Sequence, residues 1–167
     1  TETVVSRYNE SPAIWMWEFG NEINLYVDLP NAAELRNNSI HPSLGTRTTR
    51  DESDDFKTEF VSLLLEDFAK IVKNYDTHDR IISSGNSEPR VSQYNQYKSN
   101  SWQRDTLDEM TKSLLLHNPD PINSVSIHTY DLQNFLFLEE NSTYVDLLRI
   151  FKNQSNQLNK VLFVGEF

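Results

Sequence analysis

The chain has 167 residues, a net charge of −10 at pH 7, no cysteine, and 37% hydrophobic residues, enough to supply a core. The acidic balance, with a pI near 4.8, disfavours nucleic acid or an anionic membrane surface as partner, because both select clusters of Lys and Arg. Without thiols there are no disulfides and no thiolate metal sites, and no apolar run approaches the ~20 residues a membrane-spanning helix needs.

In chain order, the first element is a short apolar strand through Ile14, Trp15, Met16, Trp17 and Phe19 that ends in Gly20-Asn21-Glu22. Trp15 and Trp17 are expected in the core, and Glu18 is expected to share the inward side of Glu22, where it needs a partner. Residues 23–53 read as a long polar connection, of the kind that shapes binding sites. Phe56, Phe60, Leu64, Phe68, Ile71, Val72 and Tyr75 then recur at three- and four-residue steps, which predicts an amphipathic helix capped by Asp54 or Asp55.

Ile81-Ile82-Ser83-Ser84-Gly85 is the second predicted strand, followed by a second long loop over residues 86–104. Trp102 on that loop is a candidate platform for stacking a sugar ring, with Tyr94 and Tyr97 behind it; anchoring of the loop is the plainer role for Trp102. Thr106-Leu107-Asp108-Glu109 is a capping box that opens a helix running to about His117. A third strand, Asn123 to His128, leads into Thr129-Tyr130. A further helix carries Tyr144, Leu147, Leu148, Phe151 and Leu158 on one face and delivers the chain into Val161-Leu162-Phe163-Val164-Gly165-Glu166. Strands alternating with helices call for a parallel sheet with right-handed crossovers.

The strand ends carry the chemistry. They read Asn21-Glu22, Gly85-Asn86, His128-Thr129-Tyr130 and Glu166, whereas the strand bodies are mostly apolar or small. An ionised carboxylate at the tip of an apolar strand gives up hydration and is expected there with a partner or a chemical task. Two such carboxylates suit glycoside cleavage, in which one acid protonates the leaving oxygen and a second carboxylate attacks the sugar.

The stretch from Arg7-Tyr8-Asn9-Glu10-Ser11-Pro12 through Gly20-Asn21-Glu22 resembles the fourth strand of clan A glycoside hydrolases, most closely the cellulase family, glycoside hydrolase family 5. His128-Thr129-Tyr130 resembles the family's His-x-Tyr at the end of strand six, and Val164-Gly165-Glu166-Phe167 its nucleophile segment on strand seven. The resemblance implies a retaining glycosidase, an endo-β-glucanase or β-mannanase in type, that needs no cofactor and no metal and takes a β-linked oligosaccharide or polysaccharide. It assigns Glu22 as acid/base, Glu166 as nucleophile, Asn21 as the contact to the sugar 2-hydroxyl, Tyr130 as a hydrogen-bond donor to the nucleophile, and His128 as a lining residue beside the acid/base.

The same resemblance implies a (β/α)8 TIM barrel that is incomplete: about half a barrel over residues 1–167, with four parallel strands and three intervening helices. A full barrel takes about 250 residues, and the family's Arg from strand two, His from strand three and Trp from strand eight have no counterpart here. The remaining half of the barrel, from a longer chain, is the expected partner, and the 167 residues alone are expected to hydrolyse little. No signal peptide is visible, so a secreted or cell-surface location stays open. His41, His78 and His117 have no ligand companions in sequence. The competing class is a carbohydrate-binding scaffold that keeps the cleft without the chemistry, while a nucleophile elbow, a phosphate-cradling loop and a His-Glu-x-x-His metal motif are all missing.

Overall fold

The computed structural model describes residues 1–36, 49–130, 132–133 and 135–167; His41 and the middle of the long connection after Glu22 lie outside these. In chain order the elements are α1 (Glu2–Tyr8), β1 (Met16–Glu18), a 3-10 turn (Ile23–Tyr26), α2 (Ala32–Leu35), a second 3-10 turn (Glu52–Asp54), α3 (Thr58–Tyr75), β2 (Ile81–Ser83), α4 (Gln93–Ser99), α5 (Leu107–His117), β3 (Ser124–His128), α6 (Tyr144–Gln157) and β4 (Val161–Glu166). The capping box at Thr106 forms as expected, and Thr143 with Asp146 makes a second one at the start of α6. Each satisfies backbone donors that a helix start leaves without an intrahelical partner.

The expected half TIM barrel does not form. The strands make two separate two-stranded parallel sheets, β1 with β2 and β3 with β4, in a small mixed α/β domain. The reason lies at the junction of β2 and β3, where side chains replace the backbone ladder. Asn123 Oδ1 accepts from Ile82 N–H at 2.7 Å, Asn123 Nδ2 donates to Arg80 O at 3.0 Å, and Ser124 Oγ donates to Ile82 O at 2.9 Å. Once those side chains take the backbone groups of β2, the groups are no longer open to a neighbouring strand.

Each sheet has its own core. One gathers Val5, Trp17, Val61, Leu65, Phe68, Ala69, Val72 and Ile82 from α1, β1, α3 and β2; the other gathers Met110, Leu114, Val125, Ile127, Leu147 and Phe151 from α5, β3 and α6, with Leu162 and Val164 of β4 packed against it. Full burial of a Val, Leu or Phe side chain contributes about 1.5–3 kcal/mol. The buried stripe of α3 keeps the expected Phe68 and Val72 but is rotated at its start: Val61 and Leu65 face inward, while Phe56 and Phe60 are exposed. Thr58 explains the rotation. It is fully buried, its hydroxyl meets His117 Nε2 at 3.1 Å, and that contact fixes which face of the helix turns in. The cap differs too, since Lys57 rather than Asp54 or Asp55 is the N-cap of α3, and Asp51 and Asp54 close the preceding 3-10 turn instead.

Trp17 is buried as expected, and its indole N–H donates to Asp76 at 2.5 Å. Trp15 is 71% exposed, because it precedes the paired residues of β1 and so has no sheet face to occupy. Burial works to raise the Asp76 pKa, but hydrogen bonds from Trp17 and Arg80 and from His78 N–H prevail and hold it below the ordinary carboxyl value. Arg80 also donates to Asn9 O and Ser11 O, which ties the segment before β1 to the end of α3.

His117 is buried at the end of α5, and burial, reinforced by the charge of Arg90, lowers its pKa from 6.5 to about 4. Between pH 6.5 and 4 the unfolded chain therefore binds a proton that the folded chain excludes, so stability falls as the pH falls through that window. The slope is about 1.4 kcal/mol per pH unit, or about 3 kcal/mol across the window. Urea unfolding of wild type and His117→Gln at intervals from pH 7 to pH 4 should show the wild-type curve falling more steeply by about that amount.

Candidate active site

The two sheets bring the predicted residues together at one end. Pairing of β1 with β2 continues beyond the strands, with Phe19 N–H donating to Ser83 O at 3.0 Å and Glu22 N–H to Gly85 O at 2.8 Å. Gly85 has φ +70°, and a Cβ there would lie 1.8 Å from Gly20 O, so only glycine lets the two strand exits run this close. Glu22 itself is left-handed, at φ 53° and ψ 29°, which costs a non-glycine residue roughly 1–2 kcal/mol. That backbone turn opens the 3-10 turn Ile23–Tyr26 directly after the carboxylate.

On the other sheet, Ile127 pairs with Val164 and His128 with Glu166, leaving Gly165 as the extra residue of a β-bulge. The bulge makes His128 and Glu166 a cross-strand pair with side chains on one face. A Cβ on Gly165 would sit 2.8 Å from His128 Nε2, so the glycine makes room for the imidazole. Thr129 N–H then donates to Glu166 O at 3.1 Å and extends the pairing past the bulge.

His128 is buried, and its Nδ1 lies 3.1 Å from Glu22 Oε1 and 3.4 Å from Glu166 Oε1. In the tautomer with its proton on Nδ1 the imidazole donates to these carboxylate oxygens, and in the other tautomer Nδ1 presents a lone pair to the space between them. The Tyr130 hydroxyl donates to Glu166 Oε2, and the Tyr144 hydroxyl donates to Tyr130 O. The hydrogen bond to Glu166 raises the Tyr130 pKa, with burial and the charges of Glu166 and Glu22 adding in the same direction, so the phenol stays a donor. Glu22, His128, Tyr130 and Glu166 thus form one connected set.

Asn21 is exposed beside Glu22, open to a ligand. Trp102 is 60% exposed in the connection between α4 and α5 and takes no part in the hydrogen bonds of this set. Glu18 finds the partner it was expected to need in Ser83, whose hydroxyl donates to it at 2.8 Å. Side-chain exposures of 27% for Glu22 and 38% for Glu166 leave the site open to solvent. A hollow of about 700 Å³ between the 28–36 segment and the end of α4 contains none of these side chains.

His128 Nδ1 and one oxygen from each glutamate all lie within 4.8 Å of one another, so the three together have the donor set and spacing to hold a small cation. Gly85 and Gly165 are legible at the strand ends, whereas Arg90, Asn24 and Ser87, which also shape the site, escape a reading of the sequence. Their clearest trace is the run Gly85-Asn86-Ser87-Glu88-Pro89-Arg90, rich in polar residues yet mostly buried. No model of a known protein family matches the chain, and no curated protein is found to be similar to it.

Gly165→Ala should displace the His128 ring from the carboxylates at a cost of about 1–3 kcal/mol. Urea unfolding gives the stability loss, and shifted imidazole resonances of His128 in long-range 1H–15N spectra report the displacement; unchanged resonances would mean that the bulge glycine does not set the ring position.

Proposed function

We propose that this chain carries the catalytic pair of a retaining β-glycosidase, with Glu22 as acid/base and Glu166 as nucleophile. The observation that carries the reading is the spacing of the two carboxylates, whose nearer oxygens lie within 4.8 Å. Retaining enzymes hold the two groups roughly 5 Å apart, whereas inverting enzymes need roughly 6.5–9.5 Å to fit a water between sugar and base. The donors support the division of roles. Glu166 receives the Tyr130 hydroxyl and shares His128, while Glu22 shares His128 alone. The carboxylate with more donors suits the group that must be anionic when it attacks.

In the first step Glu166 attacks the anomeric carbon as the bond to the leaving oxygen breaks, and Glu22 gives its proton to that oxygen. In the second, Glu22 takes a proton from water, which attacks the anomeric carbon and frees Glu166. Asn21, exposed beside Glu22, is the residue this reading gives to the sugar 2-hydroxyl. The acidic surface repels anionic polymers and leaves neutral β-linked glycans as the fitting substrate class. A carbohydrate-binding scaffold would use the same open site without turnover.

The intact protein, incubated with a 2-deoxy-2-fluoro-β-glycoside bearing a dinitrophenyl leaving group, should become covalently labelled on the peptide containing Glu166. Glu166→Gln should abolish labelling and lower hydrolysis of cellulose, mannan or xylan oligosaccharides about a thousandfold or more. Binding of these sugars with neither labelling nor hydrolysis would leave the scaffold as the function.

A further inference from the structure

We propose that Arg90 is the positioning residue of the acid/base: its guanidinium holds the turn that follows Glu22 and thereby aims the Glu22 carboxyl at the leaving-group oxygen. The inference rests on the glycosidase reading and adds to it a residue that neither touches the substrate nor belongs to the catalytic pair.

Glu22 sits in a left-handed backbone conformation that its own chain does not favour, so something beyond it must hold it there. Side chains from the segment after β2 hold the turn that follows, Arg90 chief among them. Arg90 Nη1 donates to Asn24 O at 3.2 Å and Leu25 O at 2.6 Å, and Nη2 donates to Val27 O at 2.7 Å. Carbonyls at the end of a helical turn have no partner within it, and a planar guanidinium can meet several at once where a lysine ammonium cannot. The fork is itself oriented, because Nε donates to Gln96 Oε1 at 2.7 Å from α4. Gln93 adds a further donor to Asn24 O at 2.8 Å and accepts from Arg90 N–H.

Asn24 then locks the turn to the strand exit, because its side-chain amide pairs with both backbone groups of Ser87 at 2.9 and 3.0 Å. Burial lowers the Arg90 pKa to about 10, opposed by the charges of Asp28 and Asp105, so the group remains a cation at neutral pH. A partly buried cation spent wholly on backbone carbonyls and one amide costs desolvation, and its return here is a fixed direction for residue 22. Misplacement of a catalytic group by about 1 Å costs on the order of a hundredfold in rate.

A purely structural arginine and a positioning one differ in how the loss depends on the leaving group. Protonation by Glu22 matters when the departing group is a sugar hydroxyl and hardly at all when it is dinitrophenolate, which leaves without a proton. In the intact protein, kcat/KM reports the first chemical step for both. Arg90→Lys should lower kcat/KM about 10- to 100-fold on a β-linked oligosaccharide and less than about threefold on the dinitrophenyl glycoside. Gln93→Met, which removes one donor and leaves the cation, should act in the same sense with a smaller effect, and it carries the test if the Arg90 variant does not fold. Equal losses on both substrates, or none on either, would overturn the role of Arg90 while leaving the glycosidase reading intact. A wild-type protein that neither turns over the dinitrophenyl glycoside nor is labelled at Glu166 would overturn that reading, and the positioning role with it.

Discussion

The two sheets are joined by side chains, and the site depends on that seam. Asn123 and Ser124 take the backbone groups of Ile82, Ser84 Oγ donates to Asn118 Oδ1 at 2.7 Å, and Asn86 Nδ2 donates to His117 O at 2.7 Å. These are fully or partly buried polar contacts, each worth about 0.5–1.5 kcal/mol net but costly to leave half made. A backbone ladder would tolerate many sequences. A seam of amides and hydroxyls demands these residues, because each side chain must match one particular donor or acceptor. Since the seam fixes how the β1-β2 sheet meets the β3-β4 sheet, it also fixes how far Glu22 lies from Glu166.

Several unusual backbone features lie at that same end of the sheets, while the left-handed Asn100 and Asn159 lie elsewhere. Gly85 allows the exits of β1 and β2 to touch, Glu22 turns left-handed between them, and Gly165 bulges to seat His128. Strain of this kind persists only where the surroundings over-determine it. Here the surroundings are Asn24, Arg90 and Gln93 on one side and the buried imidazole on the other. The stretches with ordinary geometry, α3, α5 and α6, supply the apolar burial that offsets the cost.

What the sequence revealed followed from how local each signal is. The Thr106–Glu109 box and the apolar run Val161–Val164 are written within a few residues, and both elements formed where expected. Glu22, His128, Tyr130 and Glu166 were legible for a related reason: a polar group ending an apolar run stands out by contrast, wherever the run packs. The half barrel was not legible as an error, because Asn123 and Ser124 look like an ordinary polar lead-in to a strand. That their side chains would take the place of a ladder depends on Ile82, about forty residues away in the chain. The start of the buried face of α3 was misread for the same cause: Phe56 and Phe60 dominate the periodic pattern, yet the orientation is set by a threonine that meets a histidine on α5. The helix α4 inside the supposed 86–104 loop carries little apolar signal at all, since its anchors are Gln93, Gln96 and the Asp105 carboxylate that accepts from Tyr94 and Asn95 N–H.

The short segment after β2 connects these points. Gly85 O accepts from Glu22 N–H, Ser87 pairs with Asn24, and the Ser87 hydroxyl and Glu88 N–H both reach His128 O. Residues from both sheets are therefore fastened through their main chains to one six-residue strap, Gly85 to Arg90. Main-chain fastening leaves the side chains free to meet a ligand while denying their Cα atoms independent movement. It follows that a shift of the strap moves Glu22 and the histidine together, so the spacing of Glu22 from His128 is better protected than the spacing of either from groups outside the strap. Glu166 stands outside it and is tied back by His128, Tyr130, the bulge pairing and the Thr129 N–H that donates to its carbonyl. The distance from Glu22 to Glu166 therefore depends on the β3-β4 pairing as well as on the strap, and under the proposed glycosidase reading it is this distance that must hold.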